Sequence, residues 1–397
     1  MFMKICHITS HHKSTDTRIF HKQCTSLAKA GYDVYLLVQN GKTYESNGVK
    51  ILNIETPVIP NATSKFILLR KAKSLIKIFQ RNKIYKNKFF KAALEIDADI
   101  YQMHDTALLS CALKLKKKNK KVIFDSHENY VMQLPQYIVG MQNNKIYHRV
   151  LKKIIGIKYY LHETKICKRI DAVIFPCTMS GKNIFKNRAK QTIFINNTPL
   201  LNELYYEYEL DSPKKDRSVC YVGGLSQARG ITQLIKASYI TNTNLILAGH
   251  FSNPNYSYEL KFMEEYKCVD YRGTVDRKGI TNILKESYIG ACNVLNVGQY
   301  NRADNLATKV YEYMSMGLPV IITDCQYVRK VNEKYNCFIL VEPDNIEQIA
   351  NAIKYLLDNP EIAEQMGKNG RRAVLEEFNW EIEEKKLLSL YKSLGER

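Results

Sequence analysis

The stretch DNLATKVYEYMSMGLPVIITD, from Asp304 to Asp324, decides how this chain is expected to fold. Its apolar residues first recur at helical spacing and then run together, which predicts a helix followed by a strand buried on both faces. We expect Asn305 to cap the helix, Gly317 to end it, and Val320 to Ile322 to form the strand. A helix followed directly by a buried strand is typical of a parallel α/β sheet.

The start of this helix has the features of a phosphate site. The first-turn amides are free, and they lie at the positive end of the helix dipole. Spacings of three and four residues bring Thr308, Lys309 and Glu312 onto one helix face, where Glu312 could accept hydrogen bonds from both hydroxyls of a ribose. An ordinary helix–strand unit with a solvated Lys309–Glu312 pair explains the local pattern about equally well.

The same stretch resembles the signature of glycosyltransferase family 4, which has the GT-B fold. The family has two acids separated by seven residues, ahead of a Gly-x-Pro-Val-Ile segment, and here these acids are Asp304 and Glu312. The resemblance implies an α/β protein with two Rossmann-like domains facing each other across a cleft and a C-terminal helix crossing back to the first domain. It also implies a retaining transfer from a nucleotide sugar, with no cofactor and no metal.

The predicted domain boundaries follow from one polar stretch and from the strand that begins a second domain. The polar run DSPKKD, residues 211–216, precedes an apolar strand that starts at Ser218. The predicted organisation is an acceptor-side domain at 1–197, a linker at 198–217, a nucleotide-sugar domain at 218–378 and a returning helix at 379–397.

A glycine-rich turn follows the first strand of the predicted second domain. Residues 223–230 read GGLSQARG and lead into a helix from Ile231, the arrangement of a phosphate cradle. The resemblance implies contacts for each part of the donor. The diphosphate would be bound by Gly223, Gly224, Arg229, Leu306, Ala307 and Lys309, the ribose by Glu312, and the base would be framed by Arg272, Gly273 and Val275.

Two successive strands of the predicted first domain each end in a histidine beside an acid, and the carboxyl end of such a sheet is where ligands bind. The resemblance implies that His127 and Asp304 contact the sugar as catalytic residues. It implies an acceptor side formed by Asp16, Arg18, His104 and Asp105.

The Asp97-Ala-Asp99 run looks like a metal motif of another glycosyltransferase fold. Because it directly precedes a strand, we interpret it as structural and expect no metal.

The charge distribution indicates a polyanionic partner. The net charge is +20, and residues 65–91 contain ten basic residues and no acid, while Glu163 is the only acid in residues 145–169. With apolar residues interspersed, the 65–91 segment is predicted to bind an anionic membrane surface. No signal peptide or run of about 18 apolar residues is visible, and the ten cysteines are scattered. We therefore expect a cytoplasmic protein with reduced cysteines, peripheral to the inner membrane face.

The function that these patterns favour is a hexosyltransferase acting in surface-polysaccharide biosynthesis. It would move a sugar from a UDP- or GDP-sugar to a lipid-linked saccharide. A GT-B sugar-nucleotide epimerase is the alternative among enzymes, although the Asp304/Glu312 signature argues against it. A nucleic-acid-binding protein could use the basic stretches, but no nucleic-acid module is recognisable and we expect no such partner. A catalytically inactive homologue is a further alternative.

Overall fold

The computed structural model describes residues 3–39, 41–55, 86–139, 146–201, 217–297 and 299–396. Most of the predicted membrane segment 65–91 and most of the predicted linker 198–217 lie outside these residues. The predicted domain boundaries remain a prediction. Within the described residues the strands form two separate sheets, one before and one after the linker region.

The first sheet has eight strands in the order β3-β4-β2-β1-β5-β6-β7-β8. Neighbouring strands are parallel except β3 and β4, which pair antiparallel at one edge. The order reverses between β1 and β5, so the loops after these strands diverge and leave a crevice. The bounds are β1 Lys4–Ile8, β2 Asp33–Gln39, β3 Tyr44–Ser46, β4 Val49–Ile54, β5 Ile100–Met103, β6 Lys121–Asp125, β7 Ala172–Phe175 and β8 Thr192–Phe194.

The second sheet has six strands, all parallel, in the order β11-β10-β9-β12-β13-β14. Its order reverses between β9 and β12, which makes a second crevice. The bounds are β9 Val219–Val222, β10 Leu245–Ala248, β11 Val269–Gly273, β12 Ile289–Cys292, β13 Val320–Thr323 and β14 Phe338–Val341.

Helices connect the strands and cover the sheets. The chain from Thr17 to Cys24 winds as a π-helix and continues as an α-helix at Thr25–Lys29. Residues 86–96 are also helical. The further α-helices are Leu109–Lys116, Tyr130–Val139, Ile146–Cys167, Ile231–Ile240, Pro254–Lys261, Arg277–Glu286, Thr308–Ser315, Gln326–Tyr335, Ile346–Asp358, Pro360–Glu376 and Trp380–Gly395, and Gln227–Arg229 and Glu264–Cys268 are 3-10 turns.

The last helix, Trp380–Gly395, packs on the first sheet. Asn379 caps it by accepting from the Ile382 amide at 3.1 Å. The Trp380 indole donates to the Ser26 hydroxyl at 2.9 Å, and Tyr391 is buried in the same apolar cluster as Ile5 of β1. The prediction that the C-terminal helix crosses back to the first half of the chain is confirmed.

The structure differs from the sequence prediction at several elements. The helix after Asp304 begins at Thr308 with Ala307 at its cap position, so the prediction of an Asn305 cap was wrong. Leu306 instead lies in an extended lead-in, where its side chain is buried. The prediction of Gly317 as the stop holds, with φ of 64°. Strands β3 and β14 were not predicted, and among the helices of the described residues none is long and apolar enough to cross a bilayer.

Candidate functional site

A cavity of about 280 Å³ opens between the carboxyl ends of the two sheets. Both halves of the chain line it, and four of the predicted site residues meet there: His127 from the first half, with Arg229, Leu306 and Ala307 from the second. The other lining residues are Glu128, Pro176, Asn197, Cys292, Val294, Gln299, Tyr300, Asn301, Ala303, Asn305, Thr308, Ile322, Thr323, Cys325 and Val328.

Lys309 lies beneath the glycine-rich turn beside this cavity. Its Nζ atom is buried, has no hydrogen-bond partner within the described residues, and sits 3.3 Å from the centre of the Tyr221 ring. Gly223 has φ of 131°, a backbone conformation that favours glycine, and a Cβ atom there would lie 2.8 Å from Nζ and displace the lysine tip. Burial, with the nearby Arg229 charge, lowers the pKa of Lys309 to about 7. A buried ammonium without an anionic partner is what an absent phosphate would satisfy.

Arg229 is the second cation of this region. It ends the turn before the helix Ile231–Ile240, and its guanidinium carbon stands 4.4 Å from the centre of the Tyr300 ring. Gly230, next in the chain, has φ of 71°, and a Cβ there would overlap Asn293. The backbone of the turn is therefore held tightly against the loop after β12, which fixes Arg229 at the cavity wall.

Glu312, the predicted ribose ligand, already has a partner. Its carboxylate is 6% exposed and accepts from the Arg277 guanidinium at 2.6 Å. Arg277 opens its own helix and is 42% exposed, so it can move while Glu312 is held by the helix Thr308–Ser315. Arg277 could not be found from the sequence, since it lies 35 positions from Glu312.

Asp304, a predicted catalytic residue, reaches to the first half of the chain. One oxygen of its carboxylate accepts from the Thr178 hydroxyl at 2.5 Å and from the Gly181 amide at 2.6 Å. The neighbours Ala303 and Asn305 line the cavity, but Asp304 does not. In this arrangement the carboxylate joins the two halves of the protein. Its predicted contact with a sugar would require that these bonds open.

Behind His127 lies a buried cluster of histidines. His104 Nδ1 stands 3.1 Å from His127 Nε2, and His104 Nε2 stands 2.9 Å from His7 Nδ1. Tyr391 of the last helix closes the row, 3.3 Å from His7 Nε2, and donates to Gln102 at 2.6 Å. The row therefore turns the Nε2 edge of His127 toward His104.

Asp125 anchors this cluster. Arg18 makes a bidentate pair with it at 2.8 and 3.1 Å, and Gln23 donates to it at 2.7 Å. Burial alone would raise the pKa of Asp125, but Arg18 and the histidines hold it well below the ordinary value. Burial lowers the pKa of His104. The carboxylate is thus ionised, and it lies 3.5 Å from His127 Nε2.

Three of these side chains could in principle hold a metal. Donor atoms of His104, Asp125 and His127 lie within 4.8 Å of one another. The Arg18 guanidinium already occupies both oxygens of Asp125, however, and its charge would repel a cation at this point. The residues present suit a hydrogen-bonded support for His127 better than a metal centre.

The predicted acceptor-side residues are mostly buried. Arg18 is 5% exposed, His104 is fully buried, and Asp105 is 2% exposed and bonded to Thr9 and to the Ser10 and His11 amides. As placed, Asp105 holds the loop after β1, Arg18 pairs with Asp125 and His104 lies against His127. None of the three can touch an acceptor, so we revise their assignment to structural support. Asp16 is partly exposed, but it caps the helix by accepting from Ile19 and pairs with His12 at 3.2 Å.

The three predicted base-framing residues lie at and after the end of β11, and none lines the cavity. Arg272 pairs with Asp270 at 2.7 Å on the surface. The Gly273 carbonyl accepts from the Gly249 amide at 2.7 Å, which holds the turn, and Val275 packs on the core. Residues that the sequence did not single out include Gln299, which accepts from the Asn129 amide at 2.8 Å and so joins the two cavity walls.

Comparisons with known proteins bear on the family and the fold. Residues 207–373 match the family model described as glycosyl transferases group 1. A 95-residue stretch is 27% identical to alpha-D-kanosaminyltransferase from Streptomyces kanamyceticus, and it spans 24% of this chain and only 25% of that protein.

Two solved structures share the whole fold. Sucrose-phosphate synthase from Thermosynechococcus elongatus is similar with a TM-score of 0.75 at 18% identity, over 99% of each chain. The Anabaena protein HepE, solved in complex with UDP, has a TM-score of 0.64 at 13% identity, over 98% of this chain and 100% of that one. The predicted GT-B fold is thereby confirmed, and residues 207–373 resemble a glycosyltransferase domain of group 1.

Proposed function

We propose that this protein is a retaining glycosyltransferase that moves a sugar from a nucleotide-sugar donor to a lipid-linked saccharide. The observation that carries the proposal is the Lys309 ammonium, buried and without an anionic partner in the described residues, next to Arg229 at the wall of the cavity. Two cations and a free helix start at one point suit the diphosphate of a UDP- or GDP-sugar.

The chemistry that this arrangement supports is stabilisation of the departing nucleoside diphosphate. As the bond from the sugar carbon to the β-phosphate oxygen breaks, negative charge grows on that oxygen. Lys309 and Arg229 are fixed in place before the reaction and would stabilise this charge. His127, with its Nε2 edge turned toward His104 and Asp125, would present its other ring edge to the sugar. No cofactor or metal is part of this proposal.

The pathway and the acceptor are inferred from chemistry rather than from a binding site. The net charge of +20 and the basic 65–91 segment support an acceptor anchored in an anionic membrane, as in bacterial surface-polysaccharide biosynthesis. We place the protein on the cytoplasmic face as a peripheral protein. An epimerase would need a base poised over the sugar, and the two carboxylates of the Asp304/Glu312 signature are instead engaged, Asp304 with Thr178 and Glu312 with Arg277.

Donor binding and product stereochemistry test the proposal. UDP, GDP, ADP and their sugars should be screened by thermal shift, since a ligand at about 100 times its dissociation constant stabilises by roughly 2.7 kcal/mol. A bound nucleotide sugar should then transfer to a lipid-linked or alkyl glycoside acceptor with the anomeric configuration retained, as read by NMR. Conversion of the donor to its epimer without an acceptor would contradict the proposal.

Donor affinity is expected to fall as the pH rises above about 7. The pKa of Lys309 is lowered to about 7, so free protein loses this charge on the alkaline side, whereas the bound diphosphate favours the protonated form. Affinity for UDP should drop by up to about tenfold per pH unit, and binding at pH 8 should take up close to one proton. Calorimetry in buffers of different ionisation enthalpy measures this uptake. In Lys309→Met the affinity should be low and nearly independent of pH; an unchanged pH dependence would contradict the assignment.

Glu312→Gln is expected to weaken donor binding by roughly ten- to a hundredfold while the protein stays folded. The change removes a charged acceptor, and hydrogen bonds to charged groups contribute about 1.5–3 kcal/mol. Arg277→Ala is the matched control, because it breaks the same ion pair and leaves the carboxylate in place. Equal losses in the two variants would show that Glu312 acts only through Arg277, and unchanged binding in Glu312→Gln would exclude the ribose role.

A further inference from the structure

The helix Ile146–Cys167 exposes many large apolar side chains. Eight of the sixteen large apolar side chains that are exposed within the described residues lie on this one helix, and the other eight are scattered. Their exposures range from 41% to 79%. The eight are Ile146, Tyr147, Val150, Leu151, Ile154, Ile157, Tyr160 and Leu161.

These side chains share one face. At 3.6 residues per turn they fall within one half of the helix circumference. The opposite side packs on the protein: Gly156 lies against the Val131 carbonyl of the preceding helix, and Glu163 is buried against Arg188 and Tyr159. The outward half is therefore mainly apolar and exposed, although the Tyr160 ring lies 4.3 Å from the Arg188 guanidinium carbon. We call it the apolar stripe.

The charges around the apolar stripe are all of one sign. Lys153 and Lys158 lie just inside its two edges and Arg149 just outside one of them, and all three are exposed. The only acid of the helix, Glu163, is 1% exposed, so no carboxylate of this helix offsets these charges at the surface. A second copy of this chain would bring like charges together at such a face. An apolar strip flanked by basic residues instead complements an anionic lipid surface.

We propose that the apolar stripe is a membrane-docking surface, which inserts its apolar side chains at the headgroup layer of an anionic leaflet while Arg149, Lys153 and Lys158 contact the lipid phosphates. The undescribed segment 56–85 is long enough to cover the stripe, but it carries seven basic residues and no acid, so charge repulsion disfavours that placement. The lipid-linked nature of the acceptor rests on the proposed function. The evidence for the docking surface is the exposed face of the helix Ile146–Cys167 and does not depend on that function.

The position of this helix fits the proposed reaction. Its packing partner, the helix Tyr130–Val139, begins directly after His127 and Glu128, which line the cavity, and after Asn129, which bonds to Gln299. The stripe is thus connected through one short helix to the first-half wall of the cavity. A saccharide whose lipid stays in the leaflet would enter from this side.

Co-sedimentation of the full chain with vesicles tests the proposal. Vesicles of phosphatidylcholine alone are compared with vesicles containing phosphatidylglycerol, at low and high salt. The protein should bind only the anionic vesicles, and less at high salt. Arg149→Glu, Lys153→Glu and Lys158→Glu together should weaken binding by roughly a hundredfold or more, since each basic residue contributes about a fivefold factor. The matched control reverses Lys278, Lys330 and Lys354, which are exposed on the second half.

Variants of the apolar side chains test membrane insertion separately from charge attraction. Leu151→Gln, Ile154→Gln and Ile157→Gln should abolish binding at high salt. The control changes Ile240→Gln, Tyr258→Gln and Phe262→Gln, at even more exposed positions elsewhere, should not. If only Lys71→Glu, Lys73→Glu and Lys77→Glu abolish binding, the 65–91 segment is the membrane contact and the proposal is overturned. Equal binding to neutral vesicles, or a dimer in light scattering that the Gln variants disrupt, also overturns it. UDP binding, measured in parallel, reports on the proposed function independently.

Discussion

Replacing Arg229 with alanine is expected to slow sugar transfer by about a hundred- to a thousandfold. The guanidinium is held at the cavity wall over the Tyr300 ring, so it needs no reorganisation when charge develops on the leaving oxygen. Removing one such preorganised donor typically costs this much in turnover. The loss should be larger in turnover than in binding of the nucleoside monophosphate, which lacks the β-phosphate.

Two measurements check the Arg229 expectation. Steady-state kinetics give turnover, and calorimetry gives the affinities for the monophosphate and the diphosphate. Arg372→Ala is a suitable control, since Arg372 is exposed and lies within 4.0 Å of Glu376 on an outer helix. If turnover and monophosphate binding fell by the same factor, Arg229 would be a uniform binder and not a contact of the transition state.

Replacing Asp125 with asparagine is expected to destabilise the protein by about 3–5 kcal/mol, because it leaves the Arg18 guanidinium buried without its counter-charge. Arg18 is 5% exposed and makes both of its carboxylate bonds to Asp125. A loss of this size lowers the melting temperature by roughly 10 °C. Turnover should fall as well, since His127 loses the carboxylate 3.5 Å from its Nε2.

The pH dependence gives the Asp125 prediction a second readout. Because the folded-state pKa of Asp125 is held well below its ordinary value, its contribution to stability is fully present above about pH 4 and is lost as acid protonates it. The wild type should therefore lose stability below about pH 4 more steeply than Asp125→Asn. Asp344→Asn, at an exposed position, serves as the control. If Arg18→Met and Asp125→Asn were strictly additive in stability, the pair would not be coupled.

The sequence predicted those parts of the structure that depend on neighbouring residues. Apolar runs gave most of the strands, and the glycine-rich turn and Gly317 were recognised from local backbone requirements. What it could not predict are contacts between distant residues. Arg18 and Asp125 are 107 positions apart, and Asp304 meets Thr178 across 126, so neither pairing has a local pattern. For this reason Arg18 was assigned to the acceptor although its guanidinium is buried.

The exposure of the apolar face of helix Ile146–Cys167 also could not be predicted from the sequence. Its basic residues were visible in the sequence, but the exposure of its apolar face depends on what packs on the other side. A helix with apolar residues over half its circumference usually faces a core. Only the packing of Gly156 and Glu163 on the protein shows that the apolar half points outward.

The docking of the last helix on the first sheet bears on how the chain folds during its synthesis. Trp380, Leu387 and Tyr391 complete an apolar cluster that begins at Ile5, and the Tyr391–His7 contact joins residues 384 positions apart. The part of this cluster that the early helical segment 17–29 does not cover is therefore completed only at the end of translation, which takes about 20–80 s at ordinary elongation rates. We expect nascent chains to expose this apolar patch until the last helix emerges, and so to need chaperones more than a protein whose first domain closes on its own residues.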